Sequence, residues 1–256
     1  MFRRSAIGFI LLLTASLPPV TASDSPLIAA ASGMQFALRE IAGAFEQDTG
    51  IGLRLTFGAS GKLFHQISNN APFELFISAD DSLVEKLEQD GRALQPGVVI
   101  ARGRLAVFAA HDSSLQVDTS LQGLSDALAG NRLHKLAIAN PAHAPYGQRA
   151  REALQHAGLW EQVQDKLVIG ENVAQATQFA ISGAAQGGIV ASSLLASEKT
   201  GTRGRHALLP ESWHRPILHS MVLLANSDES TMTFYRYLQT AKAQQILARH
   251  GFAPAL

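Results

Sequence analysis

Two serines stand where apolar runs give way to helical patterns. Ser32 follows the run 27–31, and Ser60 follows the run that ends at Phe57. The first residues of a helix carry backbone N–H groups that have no partner within the helix, and they lie at the positive end of the helix dipole. Serine hydroxyls add hydrogen-bond donors without adding charge, so these positions favour an oxyanion. The alternative is that each serine is an N-cap that only stabilises its helix.

Two turns in the second half of the chain look similar. Pro145-Tyr146-Gly147 opens one helical pattern, and Glu171-Asn172-Val173 opens another. Tyr146 and Val173 could each offer a backbone N–H group to the same ligand. Tyr146 could instead be an aromatic residue that packs on a neighbouring lobe, and Val173 could be simply the first turn of a helix. The pattern of four turns carries more weight than any one of them.

The stretch 58–63 resembles two enzyme motifs but matches neither. Thr56 stands where a Walker A phosphate loop has its first glycine, and Leu63 stands where a serine or threonine must bind magnesium. Ser60 also lacks the spacing of a nucleophile elbow, because Lys62 replaces the second glycine. The sequence therefore predicts neither a nucleotide hydrolase nor a serine hydrolase at this turn.

The titratable residues give no metal pattern. His206, His214 and His219 are the closest set of histidines, but they lack the spacing of a zinc site and the chain has no cysteine. We therefore expect no bound metal cation and no cofactor. Asp80 and Asp81 are interpreted as a helix cap and a first-turn acid, with a brace across a cleft as the alternative for Asp80.

Short apolar runs alternate with helical patterns along the whole chain after residue 26. One example is the helical pattern 34–47, in which Met34, Ile41 and Phe45 lie on one apolar stripe. The alternation is typical of parallel sheets with crossover helices, and ligands bind where the strands of such sheets end. The sequence therefore predicts an α/β protein with two similar lobes, ending in one helix over 231–250.

The N-terminus predicts the compartment. Arg3 and Arg4 precede the apolar run 7–13, and small residues at 20–22 favour cleavage of a signal peptide after Ala22. Export to the periplasm is therefore expected, without a lipid anchor or disulfides because there is no cysteine. Loss of Arg3 and Arg4 leaves 19 basic residues against 21 acidic ones. A nearly neutral mature chain gives no electrostatic footprint for nucleic acid or a membrane surface.

Six segments together resemble one known family. In chain order they are Ala29-Ala30-Ala31-Ser32, Phe57-Gly58-Ala59-Ser60, Phe73-Glu74-Leu75-Phe76-Ile77-Ser78-Ala79-Asp80, Ala139-Asn140-Pro141-Ala142-His143-Ala144-Pro145-Tyr146-Gly147, Gly188-Ile189-Val190 and His250-Gly251-Phe252. Each is weak alone, but their combination and order resemble the molybdate-binding proteins of bacterial molybdate ABC transporters. The resemblance covers essentially the whole mature chain.

The resemblance implies a type II periplasmic-binding-protein fold, with mainly parallel sheets and a ligand cleft between the lobes. We expect a signal peptide at 1–22, a first lobe from 24–103 plus 219–256, and a second lobe from 104–218. The family holds molybdate or tungstate with serine hydroxyls and backbone N–H groups, and the matching positions here are Ser32, Ser60, Tyr146 and Val173. Molybdenum would thus be bound only as its oxyanion. A monomer that delivers the anion to a membrane permease is expected.

One position departs from the family pattern. Some members place a tyrosine directly after the Gly-Ile-Val strand, where its hydroxyl contacts the anion, but this chain has Ala191. The hydroxyl of Tyr146 is one candidate for the missing donor. Without it, the site has one donor fewer.

Three other functions stay open at this point. The first is a binding protein for sulfate, phosphate or another small solute on the same fold. The second is an enzyme on a two-lobed scaffold, as in some porphyrin-building and thiamine-pathway proteins, which the lack of cysteine and of paired carboxylates at the turns disfavours. The third is the effector half of a transcription regulator, which the export signal and the lack of a helix-turn-helix segment disfavour.

Overall fold

The computed structural model describes residues 25–196 and 203–255. The predicted signal peptide at 1–22 lies outside these residues. Within the described part, no helix is both long and apolar enough to cross a membrane.

The first lobe is built on a five-stranded sheet. Its strands lie in the order β2-β1-β3-β10-β4. Strand β10 pairs antiparallel with both of its neighbours, and the other four strands run in one direction. The strands are β1 (Leu27–Ala31), β2 (Arg54–Gly58), β3 (Leu75–Ser78), β4 (Val98–Gly103) and β10 (Ile217–Leu223).

The second lobe repeats the same strand order in a second five-stranded sheet, β7-β6-β8-β5-β9. Here β5 is the antiparallel strand. The strands are β5 (Leu105–Ala110), β6 (Leu136–Ala139), β7 (Leu167–Gly170), β8 (Gly187–Ala191) and β9 (Gly204–Leu208). The two lobes are therefore topological copies, although no repeat is visible in the sequence.

Helices cover the faces of both sheets. In chain order they are α1 (Gln35–Thr49), α2 (Ser60–Ser68), α3 (Asp81–Gln89), α4 (Gln122–Ala129), α5 (Pro145–His156), α6 (Trp160–Val163), α7 (Val173–Ile181), α8 (Ser192–Leu195), α9 (Glu229–Tyr237) and α10 (Ala241–Arg249). Short 3-10 turns lie at Ser32–Met34, Gln164–Lys166 and Glu211–Trp213.

The chain passes between the lobes twice, once from β4 to β5 and once on the way into β10. The strand that follows each passage is the antiparallel strand of the sheet it joins. This arrangement confirms the predicted α/β class with two lobes. The exact domain bounds stay a prediction.

The sequence pattern was wrong about the closing helix. The segment 231–250 contains most of α9 and all of α10, with a break between Tyr237 and Ala241. Thr240 begins the second helix, because its hydroxyl oxygen accepts a hydrogen bond from the N–H of Ala243 at 3.3 Å. The pattern also missed the strands β4 and β9.

The core of the first lobe depends on contacts between the two ends of the chain. Phe45 of α1 and Phe234 of α9 are fully buried, and their rings meet edge to face with centroids 5.1 Å apart. The C-terminal helices therefore complete the hydrophobic core that the N-terminal segment begins.

Phe234→Ala is expected to lower the free energy of unfolding by about 3–5 kcal/mol, because it leaves a cavity in this core. Leu94→Ala is the matched control, since the Leu94 side chain is 51% exposed. The control should change the free energy of unfolding by no more than about 0.5 kcal/mol. Denaturant titration measures both values, and equal small effects would contradict this description of the core.

Candidate functional site

A small cavity lies between the two lobes, where the strands of both sheets end. It is small, with a volume of about 10 Å³ for the centres of water-sized molecules, and it is partly open to solvent. All four residues singled out from the sequence line it: Ser32 and Ser60 from the first lobe, and Tyr146 and Val173 from the second. The other lining residues are Ala31, Gly33, Gly58, Ala59, Ala79, Ala144 and Pro145. The structure therefore brings the four predicted positions together.

The two serines are not N-caps. The residues before the helical turns are Ala31 and Ala59, and neither serine side chain accepts a capping hydrogen bond. The Ser60 hydroxyl oxygen instead accepts a hydrogen bond from the N–H of Ala79 at 3.0 Å, which leaves the hydroxyl proton to be donated elsewhere. The alternative N-cap role is wrong because each helical turn begins at the serine itself, one residue earlier than a serine N-cap requires.

Tyr146 and Val173 lie at the starts of α5 and α7. Pro145 is the first residue of α5 and has no N–H group, so Tyr146 supplies the first backbone donor of that helix. At α7 the Asn172 side chain accepts from the N–H groups of Ala174 and Gln175 at 3.0 and 3.2 Å. That cap leaves the N–H of Val173 without a hydrogen-bond acceptor among the described residues.

The cavity lining contains no charged side chain. The nearby cation Arg149 on α5 is buried and is compensated by carboxylates: its guanidinium lies 3.8 Å from Asp80 of the first lobe and 3.2 Å from Glu152. What the cavity offers to a ligand is therefore a set of hydroxyl and N–H donors, together with the positive ends of α2, α5 and α7. Such a lining suits an anion that brings its own negative charge.

The Tyr146 hydroxyl contacts a histidine of the first lobe. It lies 3.3 Å from Nε2 of His219 on β10, and the Ser193 side chain lies near it. Gly103 at the end of β4 makes room for it, because a Cβ atom at Gly103 would lie 2.1 Å from the hydroxyl oxygen. The tyrosine thus connects the second lobe to both first-lobe strands at which the chain changes lobes.

The contact between Tyr146 and His219 is buried. Tyr146 and His219 are buried, and burial lowers the pKa of His219 to about 3 and raises the pKa of Tyr146 above its usual value. His219 is therefore neutral at physiological pH. Its Nδ1 atom has no hydrogen-bond partner within the described part of the chain.

The sequence pattern missed several residues that join the lobes near the cavity. Ser193 donates a hydrogen bond to the carbonyl of Gly33 at 2.7 Å across the lobes. Ala31 ends β1, and Ala59 and Ala79 directly follow β2 and β3. All three pack in the core cluster of the second lobe. Small residues directly after apolar runs could have indicated that these positions pack closely against another part of the protein. The sequence does not show which part of the second lobe they contact.

Asp80, considered from the sequence as a helix cap or a brace across the cleft, has a clear place in the structure. Asp80 caps α3 by accepting from the N–H of Ser82 at 3.2 Å, and it also faces Arg149 across the lobes. Both of its proposed roles therefore occur together.

The described residues contain no group of three or more histidine, aspartate or glutamate side chains that could hold a metal ion.

Two lobes of identical strand order, with a donor-lined cavity between them, define a solute-binding protein of the periplasmic-binding-protein type. The chain belongs to the family of bacterial extracellular solute-binding proteins, whose family model matches residues 26–253.

Within that family, the chain is similar to molybdate-binding proteins. It is 33% identical to the molybdate-binding protein ModA of Azotobacter vinelandii over 88% of each chain. It is 32% identical to ModA of Rhodobacter capsulatus, over 98% of this chain and 96% of that one. The solved structure of the Azotobacter vinelandii periplasmic molybdate-binding protein superposes with a TM-score of 0.82 at 31% identity, covering 89% of this chain and 98% of that chain.

The buried His219 predicts a pH-dependent stability. Below pH 6.5 the unfolded chain binds a proton at this histidine, whereas the folded protein does not until about pH 3. The free energy of unfolding should therefore fall as the pH falls from 7 to 4. One such histidine contributes a slope of up to about 1.4 kcal/mol per pH unit.

His219→Gln should flatten this slope, because glutamine does not titrate. Denaturant titrations of both proteins at several pH values measure the difference. Identical slopes for the wild-type protein and His219→Gln would show that the histidine is not buried in its neutral form.

Proposed function

We propose that this protein captures molybdate or tungstate in the periplasm and delivers it to an ABC-type importer. The observation that carries the proposal is the convergence of Ser32, Ser60, Tyr146 and Val173 on one uncharged cavity between two lobes. The similarity to proteins named for molybdate binding supports the choice of anion.

The proposed mechanism is capture by closure. In an open form the dianion enters between the lobes, and the hydroxyls of Ser32 and Ser60 donate to it from the first lobe. The N–H groups of Tyr146 and Val173 donate from the second lobe. An anion that contacts both lobes binds the closed form better than the open form, and this difference in affinity drives closure.

Selectivity follows from the kind of donors. A lining of O–H and N–H groups without a carboxylate offers good partners to a fully deprotonated tetrahedral oxyanion. A protonated phosphate brings a P–O–H group that also needs an acceptor, and leaving it unpaired costs binding free energy. Cavity size must then separate molybdate and tungstate from the smaller sulfate.

The Tyr146 backbone, rather than its hydroxyl, is the donor in this proposal. The hydroxyl lies between His219 and Ser193, so it serves the contact between the lobes. The site then has no hydroxyl donor in place of the tyrosine that some family members have where this chain has Ala191.

We further propose that the protein works as a monomer, interacts with a membrane permease and not with nucleic acid, and binds its ligand without catalysing a reaction.

Isothermal titration with molybdate, tungstate, sulfate and phosphate tests the proposal. Molybdate and tungstate should bind with Kd values in the nanomolar range, and phosphate should bind at least about 100-fold more weakly because of its unpaired proton. Tight sulfate binding with no molybdate binding would overturn the choice of ligand. No binding of any of the four anions would overturn the proposed function.

Ser32→Ala and Ser60→Ala should each weaken molybdate binding by about 10- to 100-fold, because each removes one hydroxyl donor to a charged ligand. Ser125→Ala is the control, since Ser125 lies on α4 of the second lobe and outside the cavity. Circular dichroism should show that all three variants fold. Wild-type affinity in both cavity variants would refute the assignment of the site.

A further inference from the structure

We infer that Gly61 is a positioning residue for anion binding, because it allows the start of α2 to close against the second lobe. The inference rests on the proposed function and identifies a residue that sets affinity without touching the anion. We call Gly61 and Lys62 of the first lobe, with His143 and Glu171 of the second, the clasp.

The central contact of the clasp joins the two backbones. The N–H of Gly61 donates a hydrogen bond to the carbonyl oxygen of His143 at 3.0 Å. A Cβ atom at Gly61 would lie 2.7 Å from that oxygen and 3.2 Å from the His143 Cα. Both are backbone atoms, so no side chain at position 61 fits unless the lobes move apart.

The helix itself does not require a glycine at this position. Gly61 is the second residue of α2 and is absent from the described residues with positive φ, so alanine can adopt the same backbone conformation. Glycine is in fact a poor helix former compared with alanine. The close approach of His143 is therefore the constraint that explains glycine here, and that approach belongs to the closed arrangement of the lobes.

A charged pair reinforces the same contact. Lys62 Nζ lies 2.6 Å from a carboxylate oxygen of Glu171, and the lysine keeps the pKa of Glu171 below its usual value. His143 Nε2 lies 3.0 Å from the Glu171 carbonyl oxygen, which links the two second-lobe parts of the clasp. About half of each charged side chain is exposed, so this pair contributes little and is screened by salt.

The clasp adjoins the proposed anion donors in the chain. Gly61 follows Ser60 directly, His143 lies three residues before Tyr146, and Glu171 lies two residues before Val173. The segments that would hold the anion are therefore the segments that touch each other beside it. Because the clasp exists only when the lobes are closed, it raises the closed population and with it the apparent affinity.

The test is Gly61→Ala, with Gly43→Ala as the matched control. Gly43 lies in α1 of the same lobe, and a Cβ atom there would meet nothing within 4 Å. Both variants should fold and melt at or above the wild-type temperature, since alanine favours helix. Gly61→Ala should raise the Kd for molybdate at least about tenfold through faster dissociation, whereas Gly43→Ala stays within about twofold.

A distance between the lobes separates closure from a general structural effect. The chain has no cysteine, so spin labels can be placed by Glu85→Cys on α3 and Gln178→Cys on α7, both at exposed positions. With saturating molybdate, the Gly61→Ala background should show a longer distance between the labels than the wild-type and Gly43→Ala backgrounds.

Lys62→Met should raise the Kd for molybdate less than Gly61→Ala does, and the effect of Lys62→Met should vanish at high salt.

The outcomes are distinct. If the wild-type protein binds molybdate and Gly61→Ala binds it equally well with the same distance between the labels, the clasp is refuted and the proposed function stands. If the wild-type protein binds none of the tested oxyanions, the proposed function fails and the clasp fails with it.

Discussion

A doubly negative ion that leaves water must exchange its hydration shell for hydrogen bonds fixed in the protein. Burial of a charge without such partners costs far more free energy than a folded domain can supply. Short polar groups at the ends of strands meet this demand when they converge from two sides. The main architectural features follow from it: two sheets that end at one cavity, helices that begin there, and a lining without charged side chains.

The same constraint explains why small residues surround the cavity. Ala31, Ala59 and Ala79 let first-lobe strand ends pack against the second lobe, and glycines at 33, 61 and 103 let backbone or an aromatic ring come close. Larger side chains at these places would hold the lobes apart. In the proposed function, affinity for a small anion therefore also depends on residues that make no hydrogen bond to it, because they determine how closely the two lobes can approach each other.

Much of this was predictable from the sequence. The alternation of apolar runs and helical patterns predicted the α/β class and two lobes, and serines after apolar runs predicted which helix starts face the cavity. The family resemblance is confirmed by the family match over residues 26–253 together with the similarity to molybdate-binding proteins. These successes share a cause, since local periodicity and residue type determine which elements form and where they begin.

Other features were not predictable, because they depend on contacts between distant segments. The break between α9 and α10 is a local capping event that the apolar pattern runs through. The neighbours of the Tyr146 hydroxyl, namely His219 and Ser193, lie 73 and 47 residues away along the chain. The hydrogen bond from Gly61 to His143 joins the start of α2 to the turn before α5, and this contact forms only when the lobes pack together.

The most direct measurement is the anomalous scattering of tungsten in crystals of the protein grown with tungstate. The account predicts a single strong peak in the cavity between the lobes. The oxygens of the anion at this peak should lie within hydrogen-bonding distance of the Ser32 and Ser60 hydroxyls and of the N–H groups of Tyr146 and Val173. A peak elsewhere on the molecule, or one in the cavity whose oxygens meet none of these donors, would contradict it.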